Sequence, residues 1–153
     1  VQEQHEHRPI TETLELARLL VRSGKLTETK LDGHLDGRCL SATRLVALLH
    51  IAQTDQSEQM LSLSQLAIRL ASVKSNVTQL VDRLEADQLV RRVHDATDRR
   101  SIQVELTDVG RQECDQAIEA LRPLEESLNE VYTPDEMRQL TMLLQKLNKV
   151  WSN

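Results

Sequence analysis

The sequence predicts a mainly α-helical fold interrupted once by a small β-hairpin. Three observations carry that prediction. Phe is absent from the 153 residues and the only aromatics are Tyr132 and Trp151, so the core is aliphatic, as suits packed helices. Apolar residues recur at steps of three and four along most of the chain, the spacing of one helix face. That spacing gives way only near residues 90–106, where Ile102, Val104 and Leu106 alternate with Ser101, Gln103 and Glu105 in the period of a strand.

Each element can be read in turn. The first nine residues, VQEQHEHRP, are polar and aperiodic and are expected to fray. From Ile10 a stripe of Ile10, Leu14, Ala17, Val21, Gly24, Leu31 and Leu35, broken once at Glu28, marks a long helix that glycine chemistry ends near Asp36 and Gly37. Ser41 can cap a second helix bearing Leu45, Leu48, Leu49 and Ala52, and TDQSEQM is a polar connection. Ser62 and Gln65 have the spacing of a capping box for a third helix, with Leu63, Leu66, Ala67 and Leu70 inward. A fourth helix from about Val73 buries Val77, Leu80, Val81 and Leu84, and strands follow at Val90 to His94 and Ser101 to Leu106. Thr107 opens a long helix with Gly110, Cys114, Ala117, Leu121, Leu124, Leu128 and Val131 on one face; Pro123 must kink or divide it. Thr133 at the cap, Pro134 at the first helical position and Glu136 in the box begin the last helix, whose stripe is Met137, Leu140, Leu144, Leu147 and Trp151.

Size and composition narrow the function. One domain is expected at this length. No apolar run approaches the roughly 20 residues that span a bilayer, and no leader pattern precedes a cleavage site. Cys39 and Cys114 are too few for a disulfide scaffold, so a cytoplasmic location without membrane contact is expected. The net charge of −5 is unevenly divided. Residues 62–106 hold seven Lys/Arg against six Asp/Glu, whereas residues 107–153 hold five against nine. The acidity argues against indiscriminate coating of nucleic acid and leaves local, specific contact open.

Residues 61–110 carry the functional signal. Two short helices, then a ribbon whose tip holds Asp98, Arg99 and Arg100, have the layout of a winged helix-turn-helix, which offers one helix to the major groove of DNA and the hairpin to a minor groove. Opposite its buried stripe the helix from Val73 presents Ser75, Asn76, Gln79 and Arg83, with Lys74 at its start. Asn and Gln can bond adenine as a pair. Lys74 and Arg83 suit phosphates, and Ser75 and Thr78 suit either partner. An Arg on the ribbon can enter a narrow minor groove, and Asp98 can hold Arg100 in place beforehand. Taken alone, the polar helix face reads first as solvated surface, and the tip as an ordinary surface salt bridge; their adjacency reverses that order in favour of DNA.

The segments LSQLAIRL, SNVTQLVDRLEADQLVRR and DATDRRSIQVELTDVG make this region similar to the MarR (multiple antibiotic resistance regulator) family of transcriptional regulators, the D-R-R followed by LT-x-x-G being the most specific element. The resemblance implies a six-helix fold in an obligate homodimer, with residues 10–37 and 107–151 as dimerisation helices and residues 41–106 as the DNA-binding unit. It implies binding to a palindromic operator, usually as a repressor released by a small molecule or an oxidant. It makes Arg100 the minor-groove arginine and Asp98 its buttress, and it aligns residues 74–79 with the groove-facing start of the recognition helix. Two positions depart from the family pattern. Gln88 stands where a glycine usually ends the recognition helix, which requires a left-handed Gln or another turn geometry. Val73 stands where Ser or Thr usually caps it, which leaves Ser72 as an alternative cap and the helix start uncertain by one residue.

Other signals are weak. Cys39 beside Arg38 and Cys114 on an apolar stripe read as packed thiols rather than redox sensors. His5, Glu6 and His7 lie in the polar start, and His34, His50 and His94 lack ligand-spaced partners, so no metal is expected. No motif indicates a cofactor or an enzyme. The chief alternative is a winged helix that binds protein and not DNA, motivated by the six carboxylates within the reading unit.

Overall fold

The computed structural model describes residues 10–38, 40–55, 60–94 and 102–151. The polar start with His5, Glu6 and His7, Cys39, residues 56–59 of the polar connection, and the wing tip with Asp98, Arg99, Arg100 and Ser101 lie outside the described residues. The elements run α1 (Ile10–His34), α2 (Ala42–Asp55), β1 (Leu61–Ser62), α3 (Leu63–Arg69), α4 (Lys74–Ala86), β2 (Val90–His94), β3 (Ile102–Leu106), α5 (Asp108–Ala120), α6 (Arg122–Asn129) and α7 (Pro134–Trp151). These are the six expected helices with the fifth divided. The division falls at Leu121, because Pro123 occupies the first turn of α6 and cannot supply an amide to a continuous ladder.

Helix starts follow the sequence signals. The Ser62 hydroxyl accepts from the Gln65 amide at 3.2 Å while the Gln65 side chain accepts from the Ser62 amide at 2.9 Å, so the capping box is complete. Thr107 and Thr133 cap α5 and α7 in the same way, accepting from the amides of Gly110 at 3.0 Å and Glu136 at 3.3 Å. For α4 the cap is Val73, with no side-chain bond, so the Ser72 alternative is not realised and the helix begins at Lys74.

The core is built by α2, α3, α4, α5 and the sheet. Leu45, Leu48, Ile51, Leu66, Val77, Val81, Leu84, Val90 and Val104 are all but inaccessible to solvent. The sheet has strand order β1-β3-β2, with Leu61 opposite Val104 and Val90 opposite Leu106. β1 was not legible beforehand. It ties the start of α3 to the wing, and the paired hairpin β2–β3 is the wing itself.

The terminal helices contrast with this core. Among the described residues α1, α6 and α7 contain no buried side chain. Ile10 and Val21 are about three-quarters exposed, and Leu14, Leu140, Leu143, Val150 and Trp151 also face solvent. Among the described residues the hydrogen bonds that fasten α1 to other elements lie at its end and just after it. Leu35 is buried, the Asp32 carboxylate accepts from the Ala42 amide at 2.6 Å, and Arg38 bonds Gln116 at 3.1 Å. Gly37 turns the chain with φ 81, as the glycine signal required.

Candidate nucleic-acid interface

The helix pair α3–α4 is joined by a tight turn closed by backbone hydrogen bonds. The Ser72 amide donates to the Ala67 carbonyl at 3.0 Å and the Ala71 amide to Ile68 at 3.1 Å, the double closure of a Schellman motif. Ala71 takes the left-handed position at φ 47, where glycine is usual. The end of α4 repeats the motif, with Leu89 donating to Leu84 and Gln88 to Glu85, both at 2.9 Å. Gln88 is left-handed at φ 60, which is the first of the two routes open to a turn lacking glycine. Each such residue costs roughly 1 kcal/mol relative to its ordinary conformation.

The exit of the wing locks onto this second turn. The Thr107 hydroxyl donates to the Gln88 carbonyl at 2.6 Å, the Thr107 amide donates to Leu89 at 3.1 Å, and Gly110 packs its bare Cα against the same Leu89 carbonyl. The LT-x-x-G segment therefore closes the wing against the end of α4.

Around α4 the side chains divide into four sets. Val77, Val81 and Leu84 are buried, with Leu80 partly so. Ser75 and Gln79 lie opposite them, exposed. On the flank toward the wing, Thr78, Asp82 and Glu85 meet Arg92 of β2. Its guanidinium bonds Asp82 at 2.6 Å and pairs with Glu85, its Nη2 reaches the Thr78 carbonyl at 3.5 Å, and its amide donates to Glu85 at 3.1 Å. The Thr78 hydroxyl itself donates to the Lys74 carbonyl at 2.9 Å. On the other flank Asn76 and Arg83, with Gln79, line an open groove of about 950 Å³ whose far wall is α1.

This arrangement sorts the charges. Arg44 pairs with Asp87, Arg91 with Glu105 across the β2–β3 ladder, and Arg92 with Asp82 and Glu85. Every described carboxylate between residues 61 and 106 thus faces an arginine. Arg69, Lys74 and Arg83 carry no ion pair among the described residues, and they surround the exposed face of α4. Of the expected contact residues, Ser75, Asn76, Gln79 and Arg83 share this exposed side, whereas Thr78 sits toward the wing and Lys74, exposed in the first turn, lies four residues before it on the same flank. Asp98, Arg99 and Arg100 lie outside the described residues. Sequence reasoning missed Arg92; its one signal was an arginine on a strand seven residues after a helical glutamate.

Cys114 is buried, and burial together with Asp115 and Glu113 pushes its thiol up from 9.0 to about 11. That is the environment of a packed thiol and not of a reactive one. No group of His, Cys, Asp and Glu able to hold a metal occurs among the described residues. No helix among them is long and apolar enough to cross a membrane.

A short strand and helix, a second helix with a polar outer face, and an antiparallel ribbon packed beside it define a winged helix-turn-helix protein. The chain belongs to the MarR family, whose sequence pattern matches residues 40–102. It is 38% identical over 86 residues to an uncharacterized HTH-type transcriptional regulator, YkoM, of Bacillus subtilis (strain 168), covering 55% of this chain and 54% of that protein. The chain spans about half the length of the curated relatives it matches. It also superposes on the transcriptional regulator BldR from Sulfolobus solfataricus with a TM-score of 0.76 and 30% identity, over 95% of this chain and 98% of that one. A mutant MarR from E. coli, complexed with operator DNA, matches with a TM-score of 0.75 and 25% identity over 89% and 95% of the two chains.

Proposed function

We propose that this protein is a sequence-specific DNA-binding transcriptional regulator that acts as a homodimer on a two-fold symmetric operator, as a repressor. The observation that carries the proposal is the outer face of α4. Ser75 and Gln79 stand opposite the buried stripe, Asn76 and Arg83 flank them, and Arg92 fixes the wing at a set angle to the same helix. Such a face can enter a major groove while the ribbon reaches an adjacent minor groove. Lys74 and Arg83 neutralise phosphates, and the first amides of α4 favour an anion. Arg100, buttressed by Asp98 and preceded by Arg99, is the proposed minor-groove contact.

Two further observations support the reading. Among the described residues the four carboxylates of the reading unit, Asp82, Glu85, Asp87 and Glu105, are each held by an arginine, so a chain of net charge −5 still offers uncompensated cations at α4. The same pairing weakens the case for a protein-binding winged helix, which rested on the acidic chain and on six carboxylates of which these are four. The bare apolar faces of α1, α6 and α7 fit burial against a second copy, with residues 10–37 and 107–151 forming the dimer and residues 41–106 reading DNA. We place any small-molecule effector in the groove between α1 and α4, where an occupant would touch Asn76, Gln79 and Arg83 directly. Release by oxidation would need a thiol other than Cys114.

Selection from a randomised pool of duplexes, at two salt concentrations, tests the proposal. The expected result is enrichment of a palindrome, bound by two chains, with affinity falling as salt rises. Arg100→Ala should then weaken binding chiefly at A·T-rich flanks, and Gln79→Ala should relax preference at one base in each half-site. No enriched palindrome, or binding by a single chain, would count against it.

A further inference from the structure

α4 begins as no other helix with a described cap does. Ser41, Ser62, Thr107 and Thr133 each place a hydroxyl on an amide of the first turn of α2, α3, α5 and α7. α6 runs on directly from α5 through Leu121. At α4 the equivalent position is Val73, which has the extended backbone of a cap (φ −76, ψ 147) and no side-chain bond. The residue is also 62% exposed. Exposed large apolar side chains otherwise gather on α1 and beyond Asp108. Between Ala42 and Leu106 the described ones are Val46, Ile68 and Val73, and Val46 lines the groove toward α1.

Val73 thus stands where a hydroxyl would add about 1 kcal/mol to the helix, and its side chain is open to an outside partner. It stands immediately before Lys74, Ser75 and Asn76, at the leading end of the exposed α4 face. Of the four unmodified bases, thymine alone displays a methyl group in the major groove, and apolar side chains recognise it there. We infer that Val73 packs against the 5-methyl group of a thymine in each half-site and sets specificity at that base. This rests on the reading of α4 as the major-groove helix. The contact exchanges helix stability for discrimination, which gives the two properties opposite responses to substitution.

The test uses the full chain and the duplex enriched by selection. Each thymine is replaced singly by deoxyuridine, which lacks only the methyl, and binding is titrated for the wild type and for Val73→Ser, Val73→Ala and Val73→Ile. One replacement per half-site should weaken the wild type about four-fold, the value of one buried methyl group. Val73→Ser should be indifferent to that replacement while its thermal midpoint rises by about 3 °C, because the hydroxyl restores the cap. Val73→Ala should be indifferent without the thermal gain, and Val73→Ile should remain sensitive. A wild type that tolerates every deoxyuridine would overturn the inference and leave the regulator standing. So would a Val73→Ser variant as sensitive as the wild type at the same base. Failure to enrich any duplex would instead overturn the regulator and this contact together.

Discussion

Replacing Gly110 with Ala would drive a new methyl into the joint between wing and recognition helix. A Cβ built there lies 2.0 Å from the Leu89 carbonyl oxygen and 2.9 Å from its carbon, both backbone atoms, and 3.3 Å from a Leu106 methyl. Carbon and oxygen come no nearer than about 3.3 Å without strain, so α5 and the Gln88–Leu89 turn must part by about 1.3 Å. That separation breaks the Thr107 amide bond to Leu89 and the Thr107 hydroxyl bond to Gln88, each worth about 1 kcal/mol. Overpacking that persists after relaxation adds about 1–2 kcal/mol. The total is about 3–4 kcal/mol, a large part of the stability of a domain this size, and corresponds to a fall in Tm of about 10 °C. Urea denaturation followed by circular dichroism measures it, with Gly33→Ala as the internal comparison. Nothing lies within 4 Å of a Cβ at Gly33, and a helical Ala there should gain up to about 1 kcal/mol. A Gly110→Ala protein within 1 kcal/mol of wild type, at unchanged m-value, would refute the close approach of α5 to the turn.

Three other outcomes are expected. Arg92→Ala should lose about 2 kcal/mol in the same assay, because it leaves Asp82, Glu85 and the Thr78 carbonyl without their shared partner; Arg92→Lys should recover less than half, since an ammonium lacks the fork that reaches two carboxylates at once. Gln88→Gly and Ala71→Gly should each stabilise by about 0.5–1 kcal/mol by relieving left-handed backbone at φ 60 and φ 47, and a loss on either substitution would contradict those conformations. The folded chain holds the Cys114 proton to higher pH than the unfolded chain, so its contribution is complete below about pH 9 and is lost as the pH rises through 11. Urea midpoints should therefore fall more steeply across that window for wild type than for Cys114→Ala.

Local, repetitive signals made most of the fold legible. The capping boxes at Ser62 and Thr133 involve residues three apart, and the stripes of α2, α3 and α4 repeat often enough to identify a buried face. Pro123 announced the break after α5 by its chemistry alone. What escaped notice was short or non-local. β1 is two residues long and owes its existence to β3, about forty residues later. Arg92 reads as one more charge on a strand until the fold sets it against Asp82 and Glu85. Gln88 was recognised as a difficulty, and the conformation that resolves it depends on Thr107 and Gly110 across the wing. At the candidate interface the polar face of α4 was visible from its period, whereas the pairing of each described acid with an arginine was not, because those pairs join different elements.

The attachment of α1 has a mechanical consequence. A rod of 25 residues is about 37 Å long, and this one is clamped within its last turn and the residues just after it. A rotation of 5° at such a pivot carries the opposite end through about 3 Å. The width of the cleft along α4 is thus set at a distance: whatever grips the neighbourhood of Ile10 holds the long arm of a lever whose short arm lies beside Asn76 and Arg83.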